Sequence, residues 1–328
     1  MRTHSSRYSQ EEIIRCAWLY YQQDYNQEEI ARRLGMSRAR VVRLLKEART
    51  RGLVQIRINA AVDLFEREEA VQQRYHACQL RRVRLVPTVT DEDEQRRLVA
   101  HELPSLLTLG YGDIIAVSWG RTLSYALDLL PAQPALRLTV VSALGGIQGG
   151  THTANPYDVA FRLGQRLHAR AVYTLQAPAL VRDPETAALL LREESLQETL
   201  ALAARAQVAL FSGGDLSDSS TLERLNAISR EERLWLRAKG AVGDLLCHFL
   251  DRQGRVIDLE GRLTTVALPL LALKAIPERI CLAAGGAKQE IVLAMLRGGF
   301  ITTLITDEAT ADYLLSQEPG AASFEQRC

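Results

Sequence analysis

Hydrophobic positions follow two regimes along this chain. Over the first fifty residues they recur at helical spacing, and from residue 82 they bunch into short runs separated by amphipathic stretches. In residues 10–21 the stripe is Ile13, Ile14, Ala17, Trp18 and Tyr21, which predicts a helix. Asp24-Tyr25-Asn26 breaks the pattern, with Asn26 a good N-cap for a helix starting at Gln27. Ala31 is small enough for two helices to approach closely. Gly35 tolerates the positive φ of a tight turn, and Ser37 can cap the next helix. In that helix Val41, Leu44, Leu45 and Ala48 are spaced to face a core. Together these features predict a helix-turn-helix. Arg51-Gly52 closes it with a C-cap glycine, and residues 53–59 alternate apolar with polar as a short wing strand would. Trp18, Tyr20 and Tyr21 read as packing residues. Residues 63–76 form an amphipathic helix with Leu64, Ala70, Val71 and Tyr75 on its apolar side.

Beyond residue 82 the strand candidates are Arg82–Val86, Ile114–Val117, Leu138–Ser142, Ala171–Leu175, Gln207–Phe211, Ile280–Ala284 and Ile301–Ile305. Helical stretches lie between them at Glu94–Leu107, Leu123–Leu130, Tyr157–His168, Ser195–Ala204 and Lys288–Arg297. Such alternation implies a mostly parallel sheet with helices on both faces. Leu245–Phe249 and Arg255–Asp258, joined by Asp251–Gly254, read as an inserted hairpin. The expected fold class is α/β: an N-terminal, winged-helix-like helix-turn-helix domain and a larger Rossmann-like domain. The expected boundaries are 1–60 for the first domain, 61–80 for a linker helix, 81–316 for the second domain and 317–328 for a tail.

Composition agrees with two domains. The 328 residues exceed the roughly 250–300 that one core usually serves, and 47 % hydrophobic with 24 % charged is ordinary globular usage. No apolar run reaches the ~18–20 residues of a membrane span, and the first ten residues lead into no apolar core, so no secretory signal is expected. A cytoplasmic location follows as the expectation. The five cysteines (Cys16, Cys78, Cys247, Cys281 and Cys328) make no CxxC pair and read as reduced, mostly core residues. The net charge of +1 conceals an asymmetry. Residues 1–60 hold twelve basic and six acidic side chains, a net of +6, whereas the remaining 268 hold 28 and 33, a net of −5. A small basic head on a mildly acidic body is the footprint of a nucleic-acid-binding module joined to something else.

The charge on the head is concentrated. Arg38, Arg43 and Lys46 share the outward face of the second helix with Ala39 and Val42, with Arg40 nearer the edge and Gln27 and Ser37 at the helix starts. Arginine bonds guanine edges or phosphates, and small apolar side chains touch thymine methyls, so double-stranded DNA is the expected partner. In the body, several predicted strands end in small turns. Ser118-Trp119-Gly120-Arg121-Thr122 combines amides, hydroxyls and a guanidinium at a helix start, which suits a phosphate. Gly145-Gly146, Gly213-Gly214 and Gly285-Gly286 mark three more such turns, and Lys288 opens a helix where a bound anion would account for a cation. Asp244 is placed to accept hydroxyl protons from a sugar, or else simply to cap a turn. His152, His168 and His248 stand without ligand-spaced partners. Neither a metal site nor a cofactor is expected.

These residues carry a resemblance. The chain is similar over nearly all of residues 10–316 to the SorC family of sugar-binding transcription regulators. The resemblance lies in Trp18-Leu19-Tyr20-Tyr21 leading into the helix-turn-helix, Ser118–Thr122, Lys239-Gly240-Ala241-Val242-Gly243-Asp244, and Leu268-Pro269-Leu270 through Gly285-Gly286 and Lys288. Within the family, the head and the Lys239–Asp244 stretch look closest to the quorum-signal members, while Gly120-Arg121-Thr122 follows the general sugar-regulator pattern. The resemblance implies an effector domain related in fold to ribose-phosphate isomerases and glucosamine-phosphate deaminases, kept for binding and not for turnover. It implies a homotetramer, a dimer of dimers, acting as an operator-binding regulator such as a repressor of a carbohydrate-use operon. It also implies an effector that is a phosphorylated sugar or polyol, for which the turns above offer Ser118, Gly120, Arg121, Thr122, Gly145, Gly146, Asp244, Gly285, Gly286 and Lys288 as the expected binding residues. Without a lysine at 143 or 144, a Schiff base with the effector is not expected at that loop. The competing reading is a sugar-phosphate isomerase or deaminase with an appended DNA-binding head. Against it, Asp244 has no evident acid/base partner near the glycine turns. A recombinase lacks any recognisable catalytic domain in residues 61–328.

Overall fold

The computed structural model describes residues 9–51, 53–54, 62–147, 155–218 and 220–320. The chain divides into two compact units, Met1–Val62 and Asp63–Cys328.

Among the described residues the smaller unit holds three helices: α1 (Gln10–Tyr21), α2 (Gln27–Arg33) and α3 (Arg38–Thr50). Ser9 and Asn26 cap α1 and α2 through reciprocal capping boxes with Glu12 and Glu29. Gly35 takes φ +62° in the turn, and the Ser37 hydroxyl accepts from the Arg40 amide at 3.3 Å. Ile13, Cys16, Ala17, Ile30, Ala31, Val41, Leu44, Leu45 and Ala48 form the buried core. One feature of α1 differs from the sequence reading: Ile14 and Trp18 are 48 % and 51 % exposed, and Cys16 takes the inner position. Two adjacent stripes fit the helical period equally well, and packing against α3 selects the one through Ile13, Cys16, Ala17 and Tyr20. The predicted wing strand lies, from Gln55 onward, outside the described residues, as do the C-cap Gly52, Cys328 and His152.

The larger unit begins with α4 (Val62–Tyr75) and runs β1 (Arg82–Val86), α5 (Glu92–Leu106), β2 (Ile114–Val117), α6 (Arg121–Leu127), β3 (Thr139–Gly146), α7 (Pro156–Leu167) and β4 (Ala171–Pro178). Next come β5 (Leu180–Val181), α8 (Pro184–Leu190), α9 (Glu194–Ala204), β6 (Val208–Phe211), β7 (Gly214–Asp215), α10 (Thr221–Arg224) and α11 (Arg230–Ala238). The chain continues through β8 (Ala241–Leu245), β9 (His248–Asp251), β10 (Thr264–Thr265), α12 (Leu270–Ala275), β11 (Glu278–Leu282), α13 (Gln289–Arg297), β12 (Thr303–Asp307) and α14 (Glu308–Ser316).

Seven strands form one sheet in the order β1-β12-β11-β6-β2-β3-β4, parallel throughout. Neighbouring residues of each central strand feed opposite faces, as a doubly covered sheet requires. Ile115 and Val117, Val208 and Leu210, and Ile280 and Leu282 pack under α5, α6 and α7. Ala116, Ala209, Phe211, Cys281 and Leu304 pack under α4, α9, α13 and α14. The connection leaving β2 leads to β3 on one side, and the path leaving β6 leads to β11 on the other. A topological switch point therefore lies between β2 and β6, where such folds open a crevice at the carboxyl ends of their strands.

The inserted hairpin is not where the sequence placed it. Its strands are β8 and β9, joined through Leu246 and Cys247 at φ +54° and +62°. The Asp251–Gly254 segment is a second turn closed by a single bridge between Leu250 and Val256. A two-residue hairpin loop of type I′ needs positive φ at both positions, normally met by Asn or Gly. Here a buried Leu-Cys pair meets it, so no turn signature appears in the sequence.

Candidate functional site

In the smaller unit, Arg38, Ala39, Val42, Arg43 and Lys46 lie exposed on one face of α3, opposite the buried Val41, Leu44, Leu45 and Ala48. The Arg38 Nε donates to Gln27 Oε1 at 3.4 Å, so the side chain opening α2 steadies the guanidinium at the start of α3. The Arg43 Nε donates to the Ala39 carbonyl at 3.1 Å. Two guanidiniums, an ammonium and two small apolar side chains on one helical face can meet phosphates and the edges of base pairs in a major groove. Ser37 serves as a helix cap. Arg40, counted by sequence among the DNA contacts, sits at the edge of that face, where its NH2 pairs with Glu12 Oε1 at 2.9 Å and ties α3 to α1.

In the larger unit, a cleft of about 400 Å³ opens at the carboxyl ends of β1, β12, β11, β6 and β2. It gathers Gly120, Arg121, Thr122, Asp244, Gly285, Gly286 and Lys288 from the sequence-derived set. Gly120 and Gly285 each take a positive φ, +114° and +93°, as the chain turns from a strand toward a helix. A Cβ at Gly286 would meet nothing within 4 Å, so its backbone faces open space. Trp119, only 8 % exposed, adds an aromatic surface to the lining.

Three residues of the expected set do not join the cleft. Ser118 is buried beside it, its amide donating to the Leu210 carbonyl at 2.8 Å and its hydroxyl without a partner among the described residues. Gly145 and Gly146 answer to packing. A Cβ on Gly145 would fall 2.3 Å from the Ala177 carbonyl oxygen on β4, and one on Gly146 would strike the Tyr157 ring at 2.8 Å. Both glycines sit at the bulged end of the β3–β4 ladder, where the two backbones come close.

The cleft also holds residues that sequence reading missed. Asp215, on β7, pairs with Lys288 through Oδ2 to Nζ at 2.7 Å. Lys288 thus has its counter-charge within the fold, which the sequence had left to a bound anion. Because β7 lies antiparallel against β8, Asp215 is a near neighbour of Asp244, and the second carboxylate that sequence reading did not find is present. Thr88, Gln95, Arg96 and Arg224 complete much of the polar rim. Asp307 is fully buried and accepts from the Thr88 hydroxyl at 3.2 Å and the Gly285 amide at 3.3 Å, pinning two loops of the cleft together.

The two carboxylates at the centre are electrostatically distinct. Burial pushes Asp244 up to about 6, and the nearby Asp215 charge adds to this, while the Cys247 amide and Lys288 oppose it. Its Oδ2 accepts from the Cys247 amide at 3.0 Å, but Oδ1 is buried without a hydrogen-bond partner among the described residues. Burial also disfavours the Asp215 carboxylate, but Lys288 and Ser217 outweigh it and hold Asp215 below the usual range. Lowered by desolvation, His248 holds the Leu268 carbonyl at 3.2 Å through a ring nitrogen; His168 ends α7 in a left-handed conformation. Among the described residues no group of three or more His, Cys, Asp or Glu side chains is arranged to hold a metal, and no helix is long and apolar enough to cross a membrane.

Comparison with known proteins agrees with both halves. The family described as "Putative sugar-binding domain" matches residues 59–316, and the helix-turn-helix family "Sigma-70, region 4" matches residues 9–51. The transcriptional regulator YjhU of Escherichia coli (strain K12) is 30% identical over 97% of this chain and 98% of its own length. Transcriptional regulator LsrR of Escherichia coli O9:H4 (strain HS) is 32% identical over 93% of this chain and 95% of its own. The crystal structure of the full-length sorbitol operon regulator SorC from Klebsiella pneumoniae matches with a TM-score of 0.71 at 27% identity, covering 93% of this chain and 99% of that one. A DNA-binding-type head, a parallel α/β body with a polar cleft at its switch point, and full-length similarity to these regulators lead to one assignment: the chain belongs to the SorC family of sugar-binding transcription regulators.

Proposed function

We propose that the cleft of the larger unit binds a phosphorylated sugar or polyol, and that its occupancy sets how tightly the basic face of α3 holds operator DNA. The observation that carries this reading is the gathering, in one cleft, of two glycine turns, Arg121, Lys288 and a buried carboxylate with an unpartnered oxygen. Backbone amides at a helix start and two cations suit a phosphate. Asp244 Oδ1 lacks a donor, and a sugar hydroxyl supplies one.

Control follows from differential affinity: the effector must favour one arrangement of the protein over the DNA-competent one. Helix-turn-helix proteins read paired half-sites, which favours a symmetric oligomer, here a tetramer built as a dimer of dimers acting in the cytoplasm as a repressor. Turnover is not part of this reading. Asp215, the carboxylate beside Asp244, is tied up in an ion pair with Lys288.

The test is a thermal-shift series with ribose 5-phosphate, glucitol 6-phosphate and fructose 1,6-bisphosphate, followed by operator-binding titrations. A ligand present at 100 times its Kd adds about 2.7 kcal/mol to stability, a readily visible rise in melting point. The expected result is a shift with at least one compound that disappears in Arg121→Ala and Lys288→Ala. Unshifted melting with all three, or turnover above ~1 s⁻¹ with any, overturns the proposal.

A further inference from the structure

We propose that α14 and its ion pairs to Arg67 act as a strut that carries the state of the cleft to α4, the helix that opens the larger unit. This rests on the effector-binding reading of the cleft and names the route of its regulation.

One end of the strut lies in the cleft. Asp307, which ends β12, and Ala309, in the first turn of α14, both line it. The Ala309 amide donates to the Thr88 hydroxyl at 2.9 Å, and its carbonyl accepts from Gln289 Nε2 at 3.2 Å. The first turn of α14 is therefore hydrogen-bonded both to the loop after β1 and to the start of α13. Those two segments border the space a ligand would fill, and drawing them together moves the turn they share.

The other end grips α4. Arg67 NH1 meets Glu308 Oε1 at 2.9 Å and its Nε meets Asp312 Oδ1 at 3.4 Å, so one guanidinium spans a full turn of α14. Further along, the buried Tyr75 hydroxyl donates to the Leu314 carbonyl at 2.9 Å, and Arg74 Nε donates to the Gln317 carbonyl at 2.7 Å. Glu68 accepts from the Leu85 amide at 2.8 Å, tying α4 to β1 as well. Between the two ends, α14 is nine residues long, about 13 Å at ~1.5 Å per residue, short enough to move as one rigid rod.

Arg67 and its partners are about one-third to over one-half exposed, and pairs of that kind add little to stability. Their geometry is what matters: they join α4 to a helix whose first turn is also a wall of the cleft. Arg67 is a positioning residue and is not among the residues that line the cleft.

The test uses the full chain and its operator. In the wild type, the sugar phosphate that raises the melting point should also change operator affinity about 5–150-fold. Arg67→Ala should keep the same ligand-induced melting shift and lose most of that change in operator affinity. Arg67→Lys, which preserves a cation toward Glu308, should restore part of it. Hydrogen exchange of residues 62–75 on ligand addition should respond in the wild type and in Arg67→Lys, but not in Arg67→Ala. Full operator response and unaltered exchange in Arg67→Ala overturn the strut while leaving the effector reading intact. No melting shift in the wild type with any of the three compounds overturns the effector reading and the strut together.

Discussion

Asp244 carries two obligations with its two oxygens. Oδ2 fixes the Cys247 amide, and Oδ1 waits for a donor. Its elevation to about 6 sets a pH signature with a definite sign. Between the ordinary carboxyl value and about 6 the folded chain binds a proton that the unfolded chain does not, so this group favours folding at low pH. That contribution is lost as the pH rises through 6, a difference on the order of 3 kcal/mol. Asp244→Asn keeps an acceptor for Cys247 and removes the charge. It should therefore melt higher than the wild type at pH 7–8, converge with it near pH 4, and give no sugar-phosphate shift; thermal melts across pH 4–8 read all three. Gly286 offers a second single-residue test. Its φ lies outside the left-handed region and a Cβ would meet no neighbour, so Gly286→Ala should fold with unchanged stability and project its methyl into the space for the ligand. Calorimetric titration should show weaker effector binding with operator affinity preserved, whereas an unaltered isotherm would place the ligand elsewhere. Gly285→Ala is the contrasting variant, with φ +93° imposing backbone strain of about 1–2 kcal/mol. Gly285 and Lys288 were legible in the sequence because turns and helix starts are local. Asp215 was not: it matters only because β7 folds against β8 and Lys288 arrives from near α13.

Among elements, α3 divides its arginines between an exposed face and a tie to α1. Arg38 and Arg43 stand on its exposed face, and Arg40 is drawn onto Glu12. Arg38→Ala should weaken binding to the operator far more than to random DNA, since a base contact carries about 1–3 kcal/mol of discrimination. Arg40→Ala should lower the melting of the head by less than ~1 kcal/mol and leave the ratio of specific to non-specific binding unchanged. Fluorescence anisotropy on the two duplexes distinguishes them, and equal losses on both for Arg38→Ala would make Arg38 a phosphate contact. The edge position of Arg40 was readable from helical geometry, but its partner was not, because Glu12 lies 28 residues earlier on another helix. The same limit governs β8 and β9. The sequence suggested a hairpin turning at Asp251–Gly254, but the true bend is set by a buried carboxylate that stabilises left-handed Leu246 and Cys247, a tertiary cause with no local mark.

At the scale of the whole molecule, the alternation of strands and helices was visible because both faces of a parallel sheet must be apolar, which writes short continuous hydrophobic runs into the chain. The strand order β1-β12-β11-β6-β2-β3-β4 was not, since nothing local says that β6 returns to lie between β2 and β11. That return creates the switch point and so decides where the glycine turns converge. The buried Leu246–Cys247 bend has a consequence for how such a protein diversifies. Because Asp244 both locks that bend and lines the cleft, a replacement there keeps the architecture only if it retains an acceptor for the Cys247 amide, as Asn does. On the effector-binding reading, changes of ligand preference therefore have freer scope at Thr90 and Arg224, which border the cleft without holding that turn.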